Sequence, residues 1–289
     1  MMSSALSAIF PTLWAVLFLV VMTLLRSLFS LSILPRLSFS KTGLHRVQQL
    51  PLRWLLLLSR LRVNIKRDLP FLVVLSLQVT CLALFPINGE RGLQVENPHL
   101  VLMILTLISC AIHIIASWKA TGPQFSETSI DHITYFTTRA LIVLILFLGA
   151  ALGQTPGELN DFLGREWLFL SSPFHFVAFL LGIFVATFFK SSSSKNEKLI
   201  SLDVFVDHLF SLTWLTLVVM IFCNSNALPG LSHFIFLISK VLLLYVLTDI
   251  FWKHFPVLRR DQLEKIMLAT IYPITFLCFA GMWWMKLMT

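Results

Sequence analysis

Charge is scarce in this sequence. Asp, Glu, Lys and Arg make up 12% of the 289 residues, about half the share found in an ordinary soluble domain. A surface facing water needs polar groups to cover it. A soluble enzyme, a disordered chain and a nucleic-acid-binding domain are therefore poor fits. The four cysteines, Cys81, Cys110, Cys223 and Cys278, lie in apolar stretches without CxxC spacing or flanking histidines. They read as small packing residues and carry no information on redox compartment. No Walker loop, Rossmann glycine pattern, iron–sulfur cysteine array or haem-attachment motif occurs. The histidines are scattered, with no i, i+4 pair beside an acid, so no metal site is expected. His113, alone in mid-span, reads as a neutral packing histidine and not as a ligand. No catalytic residue and no directly bound cofactor emerges. A transmembrane β-barrel is excluded too, because it requires alternation and not long apolar runs.

Hydrophobicity is what the chain has in abundance, at 57% of residues with a mean hydropathy of +0.85. Spanning a bilayer core takes about 20 apolar residues as a helix. Eight stretches qualify: Phe10 to Phe29, Pro70 to Ile87, His99 to Trp118, Ile133 to Gly153, Pro173 to Phe189, Val204 to Cys223, Leu231 to Trp252, and Ile266 to Met285. The first has a longer apolar run than a signal core and no A-x-A site after it, so it is expected to be a retained helix. Trp118, Trp167, Trp252, Trp283 and Trp284 fall near the predicted interfaces, as an aromatic belt does.

The cations sort by side. Alternate connections, beginning with the long first one, carry 16 Lys or Arg against 3 on the other side. The positive-inside rule then puts the basic loops in the cytoplasm and both termini outside, in a multi-pass protein of the inner (plasma) membrane. This excess also gives the net charge of +8 a topological reading that needs no anionic partner. Residues Leu52 to Ile65 mix apolar positions with Arg53, Arg60 and Arg62 behind Pro51. They suit a helix lying along the membrane surface. The expected fold is all-α: one integral-membrane domain over 1–289, with eight transmembrane helices and a surface-lying amphipathic helix in the first cytoplasmic loop.

Late in the chain Lys240 lies in an apolar helix, followed by Phe255-Pro256, then Arg259, Asp261 and Gln262, then Pro273. The order and spacing resemble, without a gap, those of the subunit 1 family of respiratory complex I, shared with membrane-bound hydrogenases. Weaker similarity runs through Gly43 to Pro51, Ile115 to Trp118 and Glu166-Trp167. The chain departs from the family's acidic loop, reading instead Lys190 to Lys198, and has no acid over Ile133 to Arg139. It resembles a divergent member.

The resemblance implies a membrane subunit of an NADH-quinone oxidoreductase-like or hydrogenase-like assembly, without a redox centre of its own. Its partners are then the other membrane and hydrophilic subunits and the lipid bilayer, and a quinone enters as a ligand only by resemblance. For docking a hydrophilic arm the candidates are Arg53, Arg60, Arg62, Arg259, Arg260, Asp261 and Gln262. For a proton path the candidates are Lys240, Asp249, Asp207 and Arg139. A charge at mid-span costs roughly 3 kcal/mol, so Lys240 is expected to pair with an acid or to line water, in a functional or a structural role. A stand-alone transporter or channel is the rival reading. Against it stand the lack of an internal repeat and of Gly/Pro-broken span pairs.

Overall fold

The computed structural model describes residues 2–32, 65–85, 87, 92–93, 95, 98–121, 141–142, 145, 168–188, 202–223, 230–254 and 265–288. All regular structure among them is helical. The helices are α1 (Met2–Ser32), α2 (Ile65–Ala83), α3 (Pro98–Thr121), the single turn α4 (Leu168–Ser171), α5 (Pro173–Phe188), α6 (Leu202–Phe222), α7 (Leu231–His254) and α8 (Tyr272–Met288), the last preceded by a π-helical turn at Met267–Ile271. Seven of the eight stretches read from hydropathy thus coincide with helices. The remaining one, 133–153, is described only at Leu141, Ile142 and Ile145, all helical. The expected surface helix, Leu52 to Ile65, lies outside the described residues apart from Ile65, which opens α2.

Helix ends follow local chemistry. α2 begins five residues before Pro70 and stops at Ala83, just ahead of Pro86, whose predecessor is biased away from helix. α5 starts behind an N-cap. The Ser172 carbonyl accepts from Phe176 N–H at 3.1 Å, and Ser172 Oγ accepts from His175 N–H at 3.1 Å. Ser172 Oγ also shares a 2.7 Å hydrogen bond with His175 Nδ1. With Pro173 in the first helical position, Ser172 is a side-chain N-cap whose hydroxyl is also bonded to the His175 ring. Before α8 the Tyr272 N–H reaches back five residues to the Met267 carbonyl. Pro273 follows; it has no N–H, and its ring needs the room that a normal turn denies it.

α6 is the hub. From Leu209 to Cys223 every residue except Ser211 is buried, as expected of a helix apolar on all sides. α2, α1, α7 and α5 wrap around it in that spatial order, with α3 leaning on α2 and α8 on α5. Phe179 of α5 lies 6.1 Å from Phe222 of α6, so the middle of α5 meets the end of α6. Phe71 near the start of α2 lies 5.9 Å from His113 near the end of α3, while the Leu93 N–H, short of α3, bonds the Ala83 carbonyl at 2.8 Å. α2 and α3 are therefore an antiparallel pair.

The outward surfaces are apolar as well. α1 buries Ala15, Phe18, Leu19 and Met22, yet presents Ile9, Leu13, Val16, Leu17, Val20 and Leu24 to the outside. α7 exposes Leu231, Ile235, Leu243 and Leu247, and α8 with its leading turn exposes Leu268, Phe276, Leu277, Trp284 and Leu287. Two helical segments, Leu231–Thr248 and Met267–Met288, are long and apolar enough to cross a membrane. Only 22% and 28% of those windows is buried, whereas a soluble core helix is mostly covered.

Polar side chains are present inside. Gln78, Ser109 and Thr213 are 3%, 2% and 3% exposed, and their side-chain polar atoms have no hydrogen-bond partner among the described residues. Leaving such a group unsatisfied costs about 1–3 kcal/mol.

α8 approaches α5 through Gly281, where an added Cβ would stand 2.6 Å from the Phe174 ring. Gly281→Leu is expected to lower stability by about 1–3 kcal/mol, and Phe174→Ala in the same chain to recover part of that loss. Thermal unfolding followed by tryptophan fluorescence in detergent measures both, and equal midpoints for wild type and Gly281→Leu would refute the close approach. Ser172→Ala removes the α5 cap and is expected to cost about 0.5–2 kcal/mol by the same measurement.

Candidate functional site

The cation that the sequence places in mid-helix lies beside the end of α6. Helix ends leave their last carbonyls without intrahelical partners. The Cys223 N–H makes a final bond to the Val219 carbonyl at 2.8 Å, and the Cys223 carbonyl itself accepts from Lys240 Nζ at 2.5 Å. Gly230, just before α7, has φ at +70°, a backbone region that strains residues with a Cβ. Its carbonyl accepts from Phe234 N–H at 3.3 Å, and α7 runs on from there.

Lys240 is nine residues into α7, about 14 Å along its axis. Helical side chains lean toward the N-terminus. Four methylenes therefore carry Nζ back up to the α6 end, and the charge sits well away from the depth of its own Cα. Nζ also stands 4.3 Å from the centre of the Phe236 ring, one turn earlier, a cation–π contact. The partial negative charge at a helix C-terminus favours a cation there. A backbone carbonyl and an aromatic face are thus two of the contacts of Lys240.

His233 lies two turns before Lys240 on the same side of α7. It is 2% exposed, and neither ring nitrogen has a hydrogen-bond partner among the described residues. Its neighbour Phe234 packs against Trp14 at 4.9 Å and Phe18 at 6.1 Å, which ties α7 to α1. The arrangement therefore joins α1, α6 and α7 at one end of the bundle.

The backbone positions of two further proton-path candidates stand away from this point. Position 249 is nine residues beyond Lys240 in an unbroken α7. At 100° per residue that is the opposite side of the helix, about 14 Å further along. Position 207 is sixteen residues before Cys223 in α6, about 24 Å from the lysine's bond. The side chains of Asp249 and Asp207 lie outside the described residues, as does the whole of Arg139. So do all seven docking candidates, Arg53, Arg60, Arg62, Arg259, Arg260, Asp261 and Gln262. All four cysteines are buried. Among the described residues no group of three or more His, Cys, Asp or Glu is placed to hold a metal ion.

His233 and Phe236 are not singled out by the sequence reading. Their signal is the spacing 233, 236, 240, which marks one face of a helix; a search confined to i, i+4 histidine–acid pairs passes over it. The Cys223 carbonyl has no sequence signal at all. Comparison with family models gives no match, and comparison with curated proteins gives none either.

Replacing Lys240 tests its role. Lys240→Met leaves the Cys223 carbonyl without its charged donor and is expected to cost about 1.5–3 kcal/mol, whereas Lys240→Arg retains a donor and most of the stability. Thermal midpoints in detergent give the comparison. A Lys240→Met midpoint equal to wild type would remove the capping role.

Proposed function

We propose that this chain is a multi-pass integral protein of the inner (plasma) membrane and acts as the membrane subunit of a complex I-like or hydrogenase-like redox assembly. The observation that carries the membrane reading is the apolar outer surface. The exposed faces of α1, α7 and α8 are built from Leu, Ile, Val, Phe and Trp, where water would demand polar groups. Lipid is the solvent for which such faces carry no penalty. The 16-to-3 division of cations between the two sets of connections supports eight crossings, with both termini outside and the basic loops in the cytoplasm.

The redox-assembly reading is narrower and rests on the resemblance at Lys240 and over Phe255 to Gln262. In it the chain contributes no electron carrier. Its basic inner loops, through Arg53, Arg60, Arg62, Arg259, Arg260, Asp261 and Gln262, form the seat for a hydrophilic electron-transfer arm. The bond from Lys240 to the end of α6 supports a structural part for that residue beside its candidacy for a polar path. Docking is the task proposed for the chain, with a proton path or a quinone chamber as a further contribution.

Purification of the chain from its native membrane in mild detergent, with mass spectrometry of what co-elutes, tests the assembly. Iron–sulfur and further membrane subunits are expected in the same peak; a lone monomer would count against it. Topology is tested separately by cysteine labelling. A cysteine introduced beside Arg60 is expected to react only once the cytoplasmic face is opened. Labelling from the outside of sealed cells would overturn both the orientation and the docking surface.

A further inference from the structure

Serine and threonine inside helices commonly give their hydroxyl to the carbonyl one turn back. Thr106, Thr216 and Thr275 do so, donating to the carbonyls of Leu102, Leu212 and Ile271 at 2.9, 2.8 and 2.7 Å. Ser109 and Thr213 do not. Both hydroxyls are buried with no hydrogen-bond partner among the described residues. Gln78 goes further, since both the oxygen and the nitrogen of its carboxamide are buried and unpartnered among those residues.

All three stand within about 10 Å, along their helices, of one level at which α2, α3 and α6 meet. The His113 ring of α3 stands 5.9 Å from Phe71 of α2 and 5.9 Å from Phe210 of α6, which fixes a common level for the three helices. Gln78 is two turns along α2 from Phe71 and on the same buried face as Val74. Ser109 is one turn from His113, and Thr213 is three residues from Phe210. Because α2 and α3 are antiparallel, Gln78 and Ser109 lie on the same side of the His113 level. They stand about 10 Å and 6 Å from it along their helices, with Thr213 about 4.5 Å from it along α6.

A carboxamide and two hydroxyls together call for both donors and acceptors within a small space. Water is the ligand that supplies both at that size, and it settles in interiors where two to four polar groups converge. We propose that the α2–α3–α6 seam is a binding site for internal water, held by Gln78, Ser109 and Thr213. The site stands apart from the Lys240 end of the bundle and does not depend on the redox-assembly reading.

Hydroxyl-radical labelling by synchrotron irradiation, read by mass spectrometry on the full chain in lipid nanodiscs, tests it. Radicals formed from water inside a protein oxidise the side chains beside that water. Cys81, Cys110 and His113 border the seam, while Cys278 and Met282 are buried to the same degree elsewhere. Cys81 and Cys110 are expected to be oxidised several-fold faster than Cys278, a comparison within one side-chain type. Thr213→Val, which keeps the side-chain volume, and separately Gln78→Leu are expected to slow oxidation at Cys81, Cys110 and His113 without changing the rate at Cys278. Rates at Cys81 and Cys110 equal to that of Cys278 would overturn the proposal. So would fast seam labelling that neither variant alters, since bulk solvent would then be its source. A thermal midpoint for each variant identifies a folded sample, and either variant alone suffices for the comparison.

Discussion

Enclosure of α6 on so many sides is the constraint from which the rest of the structure follows. A helix wrapped by α1, α2, α5 and α7 satisfies its backbone along its length but not at its ends, and water is kept from much of its surface. Its last carbonyls then need a donor from a neighbour. Lys240 reaches back along α7 to supply one. A polar side chain in the middle of α6 has the same difficulty. Thr216 resolves it by bonding its own backbone; Thr213 does not, and so opens a demand on the helices that face it.

The two sides of each peripheral helix follow different logic. On α1 the inner stripe of Ala15, Phe18, Leu19 and Met22 is set by packing, where volume and shape matter. The outer stripe is equally apolar but makes no such contacts, so its composition answers to the surrounding medium. A small residue appears where helices come close, as at Gly281 against Phe174, because an added Cβ would meet the ring. Several polar groups are held at helix ends or in the interior: Ser172 and His175 at the start of α5, the Lys240 ammonium at the end of α6, Gln78 and Ser109 within the α2–α3 pair.

Much of the helical framework is legible from hydropathy. The stretches read as Pro173 to Phe189 and Leu231 to Trp252 match α5 and α7 to within two residues at either end. Boundaries differ more where a proline stands near the start. α2 runs through Pro70 from Ile65, although a proline at the sixth helical position gives up one i→i−4 bond. The site is half legible. Lys240 stands out because a cation in an apolar run is costly, but its partner is a main-chain oxygen that no residue type announces. Gln78, Ser109 and Thr213 give no signal, since an uncharged polar residue in an apolar segment is ordinary until its neighbours are known.

By itself the sequence determined which segments are helical, that their outer faces are apolar and that the cationic connections alternate. Those properties depend on composition and on periodicity within a few turns. The tertiary structure alone decided that α6 is central, that the end of α6 meets Lys240, and that Gln78, Ser109 and Thr213 are buried without a hydrogen-bond partner among the described residues. Those facts depend on which helices touch and at what level. Helices that are apolar all round carry no local pattern specifying which neighbour each one takes.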